Sequence, residues 1–164
     1  MPDSVAYLHL EPGANPGPLG FRPFKVVVAV EADVSPQWQS LISDWLIQSG
    51  CLYMMAWGRG CSSWDDSVDL SNVEAFDFAD IPDDQFVMTT WHSDESLAEV
   101  LWFSKYTASH PTVELDKTLL LHISSESREQ ELRSRQSRVL PISCSEPLAL
   151  SPELLPCDAH YIRE

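Results

Sequence analysis

Between residues 24 and 124 the sequence alternates strand signals with helical ones, and this alternation restricts the fold more than any other feature. Residues 25–31 (KVVVAVE) form a β-branched run suited to a buried strand. Ser35-Pro36 follows, an N-cap with proline at the first helical position, where its missing N–H costs nothing. Trp38, Leu41, Ile42 and Trp45 then recur at helical spacing, and Gly50 is placed to end the helix in a left-handed C-cap. Residues 51–57 (CLYMMAW) are apolar throughout, as a strand covered on both faces requires. A weaker helix is expected over residues 63–73, a short strand over 74–78 and a further strand over 85–91 (QFVMTTW). Ser93 is the expected cap of a helix from Asp94 to Ala108. The wide stripe of Leu97, Val100, Leu101, Trp102, Phe103 and Tyr106 predicts that this helix is deeply buried. Residues 118–123 (TLLLHI) supply the last strand. The predicted fold is a small three-layer α/β sandwich, with a mainly parallel sheet of four or five strands and helices on both faces.

The flanks differ in kind. Residues 1–23 hold Pro12-Gly13, Pro16-Gly17-Pro18 and Gly20, which predicts an irregular arm. Residues 125–164 open with a polar run and close on Pro141, Pro147, Pro152 and Pro156, which predicts a tail outside the core. A single domain over residues 24–124 is therefore expected, stable without the chain beyond Ser125. A length of 164 residues, 44% hydrophobic and 21% charged, suits one packed domain with tails.

Charge narrows the function. Ten Lys+Arg stand against 25 Asp+Glu, a formal charge of −15. Nucleic-acid binders need a basic stripe to neutralise phosphates, and anionic lipid repels such a chain, so neither nucleic acid nor membrane is an expected partner. The longest apolar run, residues 51–57, falls far short of the roughly 20 residues that span a bilayer. The first residues lack a basic stretch followed by an apolar one, and so do not read as a secretory signal. Cys51, Cys61, Cys144 and Cys157 show no C-x-x-C spacing and read as reduced thiols. A soluble, cytoplasmic protein without cofactor or metal is the expectation.

In an open α/β sheet, ligands gather beyond the carboxyl ends of the strands. The expected exits hold Glu31 and Asp33, then Gly58 to Asp66, then Thr89 to His92, and finally His122, Ser124 and Ser125. Gly58-x-Gly60 lacks the third glycine of a phosphate loop, since position 63 is Ser, and reads better as a tight turn. Cys61 and His92, with Asp65 or Asp66, match a nucleophile, base and orienter, although acids beside a cysteine keep its thiolate scarce. His92, His122, Asp65 and Asp66 are metal-compatible in type, but their spacing fixes no geometry. His122 lies inside an apolar strand, where a satisfied, partly buried histidine is the simpler reading. Trp38, Trp45, Trp57 and Trp102 fall on core-facing stripes, whereas Trp64 and Trp91 stand beside acids as recognition candidates.

From Gly60 through Ser104 there are eleven Asp/Glu and no Lys or Arg. One reading is a solubilising face. The functional reading is an acidic surface that steers a basic protein, with Trp64, Asp65, Asp66, Asp83, Asp84 and Trp91 as binding residues. That makes the chain a non-enzymatic protein-binding module of immunity or adaptor type. The alternative is an enzyme or small-ligand protein that uses Cys61, Asp65, Asp66, His92 and His122.

The stretch from Trp64 to Ser67 (WDDS), residues 74–92 (EAFDFADIPDDQFVMTTWH), residues 101–106 (LWFSKY) and residues 110–124 (HPTVELDKTLLLHIS) together carry a resemblance. The chain resembles an uncharacterised bacterial domain family over residues 24–124. The resemblance implies a bacterial origin and one compact domain, and it transfers no catalytic or binding residue.

Overall fold

Phe24–Val30 is buried along its whole length, and the rest of the architecture is arranged around it. The computed structural model describes residues 4–137. The strands are β1 (Ser4–Leu10), β2 (Phe24–Val30), β3 (Cys51–Gly58), β4 (Met88–His92) and β5 (Lys117–Ile123). The helices are α1 (Pro36–Ser49), α2 (Cys61–Glu74), α3 (Leu97–Tyr106) and α4 (Glu129–Ser137). All strand pairs are parallel, in the order β1-β5-β2-β3-β4. The predicted α/β sandwich with helices on both faces is what the chain forms.

Alternation along the strands divides the core into two. Val26, Val28, Met54, Leu119 and Leu121 meet Trp38, Ile42 and Leu46 of α1 and Trp64 and Val68 of α2. On the other face Val27, Met55 and Leu120 meet Leu97, Val100 and Leu101 of α3 and Leu132 of α4. The helices after β2 and β3 thus cover one face, and those after β4 and β5 the other. The change of face falls between the adjacent strands β2 and β5. Counted from β2, the order reads 3-2-1-4, and a switch of this kind opens a crevice at the carboxyl ends of the two strands.

The helix caps explain where the helices begin. Ser35 accepts the Trp38 N–H with its hydroxyl, Pro36 opens α1, and Gly50 closes it at φ 94°. The cap of α3 is Ser96, not the expected Ser93. Ser96 and Glu99 form a reciprocal capping box, so α3 starts at Leu97 and is shorter than expected. Its stripe is also narrower, because Trp102 and Tyr106 stay 45% and 41% exposed.

Three further expectations are corrected. The arm of residues 1–23 supplies an edge strand, β1, in register with β5 from Ser4↔Lys117 to Leu10↔Ile123. The remainder of that arm lies over α1, where the indole N–H groups of Trp38 and Trp45 donate to the carbonyls of Ala14 and Gly17. The folded unit also extends past Ser125, since α4 buries Leu132 completely. Residues 74–78 are not a strand: turns continue from α2, with Asp77 and Phe78 at φ 51° and 61°. Before β4, Asn72 substitutes for a strand partner, as its side chain takes the Val87 N–H and donates to the Gln85 carbonyl. The Pro-rich tail expected over residues 141–156, with Cys144 and Cys157, lies outside the described residues. Among the described residues no helix is long and apolar enough to cross a membrane.

Candidate functional site

The catalytic grouping suggested by the sequence is not assembled. Cys61 opens α2 and is buried in the core on the α1/α2 side of the sheet. His92 ends β4 and packs edge-on against Phe103 of α3, on the opposite side. Both His92 nitrogens are engaged: Nδ1 lies 2.6 Å from Glu95 Oε2, and Nε2 lies 3.0 Å from the Thr90 hydroxyl. No base therefore faces the Cys61 thiol from His92. His122 is two strands away from β3, on β5. Among the described residues no three His, Cys, Asp or Glu side chains are grouped to hold a metal ion.

Two of the expected surface residues belong to the interior. Trp64 is 1% exposed and meets Trp38 edge to face. Asp65 is also buried, its Oδ1 makes no hydrogen bond, and burial together with Asp69 and Asp66 holds its carboxyl above the usual range. The spacing of Cys61, Trp64, Val68 and Ser71 was the signal, because it is the buried stripe of α2.

The crevice at the β2/β5 switch point is filled by the chain itself. The Tyr7 hydroxyl lies 2.8 Å from His122 Nδ1, and the Arg128 N–H donates to the same hydroxyl at 3.3 Å. His122 Nε2 makes no hydrogen bond and stands 3.5 Å from Glu31 Oε2. Arg128 reaches both Glu31 oxygens at 2.6 Å and grips Glu131 with its remaining nitrogens. Burial pushes the His122 pKa down, against the pull of Glu31. The imidazole is neutral at pH 7, and Arg128 straps the start of α4 across the strand ends. Glu31 and His122 were visible as strand exits, but Tyr7, His9 and Arg128 were not. His9 lies beside His122 in register and bonds the Ser124 carbonyl at 2.9 Å.

The acidic block, in contrast, stays on the surface. Of its eleven acids, all but Asp65 are exposed. They surround β4: Asp80, Asp83 and Asp84 lie in the loop before it, Asp66 and Asp69 on the helix packed against it, and Asp94 and Glu95 after it. Thr89 of β4 donates to Asp69 Oδ1 at 2.8 Å. Phe78 (71%), Phe86 (48%) and Trp91 (54%) stand exposed among these charges. A cleft of about 680 Å³ borders this surface at Asp84 and opens at the amino ends of β2 and β3 between Arg22, Gln48, Asn72 and Phe76. Burial pushes the Cys51 thiol on its floor up to about 12, which makes it inert.

The family described as Domain of unknown function (DUF7684) matches residues 5–138. The chain belongs to this family. No curated protein and no solved structure matches it. The DUF7684 match begins within β1 and runs to the end of α4, so the family's unit has the boundaries of the folded unit and not those of residues 24–124 alone. Both the Arg128 strap and the acidic surface around β4 lie inside the DUF7684 region.

Proposed function

We propose that this domain is a non-enzymatic protein-binding module that docks a basic protein on the acidic surface around β4. The observation that carries the reading is Trp91, 54% exposed on an edge strand among acids with no Lys or Arg from Gly60 to Ser104. An exposed indole gains by losing water on docking, and aromatic anchors of this type dominate binding energy. The surrounding carboxylates add long-range attraction, which speeds encounter with a basic partner. Asp66, Asp83, Asp84 and Trp91 remain in the proposed surface, joined by Phe78 and Phe86. Trp64 and Asp65 leave it because they are buried. The separation of Cys61 from His92 removes support from the enzymatic alternative. The buried free thiols Cys51 and Cys61 suit a reducing, cytoplasmic setting, and the bacterial origin implied by the resemblance belongs to the same reading.

The test is capture from lysate at low salt, followed by association and dissociation kinetics on the purified partner. Raising salt and replacing Asp66, Asp83 and Asp84 together by Lys should each slow association, while Trp91→Ala should speed dissociation. Retention of the same partner at an unchanged association rate by the charge-reversed protein refutes the reading.

A further inference from the structure

The geometry points to a definite mode of docking: a basic, extended segment of the partner adds to the outer edge of β4 as a sixth strand. This rests on the reading of the β4 surface as a docking face, and it specifies what that face binds.

β4 is hydrogen-bonded to β3 alone. Among the described residues no other backbone–backbone hydrogen bond reaches Met88–His92. Alternate N–H and C=O groups along its far side are therefore open to a further strand. Lys, Pro and a bulge are among the devices that guard natural edges. β4 reads MTTWH, and its register with β3 is unbroken from Tyr53↔Met88 to Trp57↔His92, so it carries none of the three. β1 is the other edge, but it displays no exposed large apolar side chain, whereas β4 displays Trp91.

Charge selects the occupant. Asp83 and Asp84 precede the strand, Asp69 lies beside Thr89, and Asp94 and Glu95 follow it. A second copy paired edge to edge would set these acids against each other, and like charges facing across a ladder are destabilising. A segment alternating Lys or Arg with apolar residues turns its basic side to the face of β4 that carries His92 and its partner Glu95, with Asp83, Asp84 and Asp94 at the strand ends. Its other side lies against Trp91, where aromatic cross-strand pairs stabilise a sheet.

The test uses the full-length protein and a capped nine-residue peptide that alternates Lys and Val. Hydrogen–deuterium exchange should slow in residues 88–92 on binding. Two further peptides carry N-methyl groups on one or the other alternate set of backbone nitrogens, leaving charge unchanged. Strand addition requires that one set weakens binding at least tenfold while the other set is tolerated, since only one faces β4. A Glu-for-Lys peptide should not bind. Equal affinity for both methylated peptides, binding without protection of residues 88–92, or no binding of the Lys peptide overturns strand addition. The broader docking reading is judged separately, by the captured partner's response to charge reversal.

Discussion

The Tyr7 hydroxyl lies 2.8 Å from Nδ1 of His122 and links the edge strand to its neighbour by a side-chain bond beside the backbone ladder. Tyr7→Phe keeps the ring and removes the bond, leaving His122 Nδ1 the Ser124 hydroxyl at 3.5 Å and taking from the Arg128 N–H its acceptor. The expected cost is about 1–3 kcal/mol, read from urea denaturation.

His122 also sets a pH dependence. Its folded pKa lies below the ordinary 6.5, with burial the first cause, so the unfolded chain takes up a proton that the folded chain refuses. Its contribution to stability is complete above about pH 6.5 and is lost as pH falls through that value towards the folded one. Urea midpoints at pH 7.5 and 5.5 should therefore differ less in His122→Gln than in the natural protein.

Gly58 is fixed by sterics. At φ 94° a Cβ there would come 2.1 Å from the Val30 carbonyl oxygen, which itself accepts the Arg59 N–H. Gly58→Ala should cost about 2–5 kcal/mol from strain and overpacking combined. Gly60 has φ 62°, and its nearest atom is Ser63 Oγ at 3.4 Å, so Gly60→Ala should cost only about 1–2 kcal/mol. Denaturation of the two variants side by side separates a clash from a merely left-handed residue.

Leu132 is fully buried against the α3 side of the sheet. Leu132→Ala should destabilise by about 2–5 kcal/mol. A chain ending at residue 126, expected from sequence to be stable, should instead melt at lower temperature, because it loses Leu132 and the Arg128–Glu31 pair together. An unchanged melting temperature in the shortened chain would show that α4 is dispensable.

What the sequence revealed followed from short-range patterns. β2, β3, β4 and β5 announced themselves through apolar runs, although β4 begins at Met88 rather than at residue 85, and α1 through Ser35, Pro36 and Gly50. β1 was hidden by its neighbourhood: SVAYLHL places Ala6, Leu8 and Leu10 on one face and Tyr7 and His9 on the other, but the following Pro and Gly residues dominated the reading. The site was harder. Which face receives each crossover helix decides that Cys61 and His92 are apart, and no single segment encodes that choice. Trp64 looked superficial beside two aspartates, although its spacing from Cys61 and Val68 places it inward. Arg128 lies far along the chain from Glu31, and such pairings leave no local mark.

β5 lies between β1 and β2 and reaches both at once. On a ribosome, the Val-rich edge of β2 therefore waits without a neighbour until residues 117–123 have been made, and β1 waits for the same event. Long-range parallel pairing of this kind forms slowly and exposes strand edges in the interim. The sheet is expected to close only once β5 has been made. A nascent chain stalled before Lys117 would present an open, β-branched edge, the kind of surface on which aggregation starts.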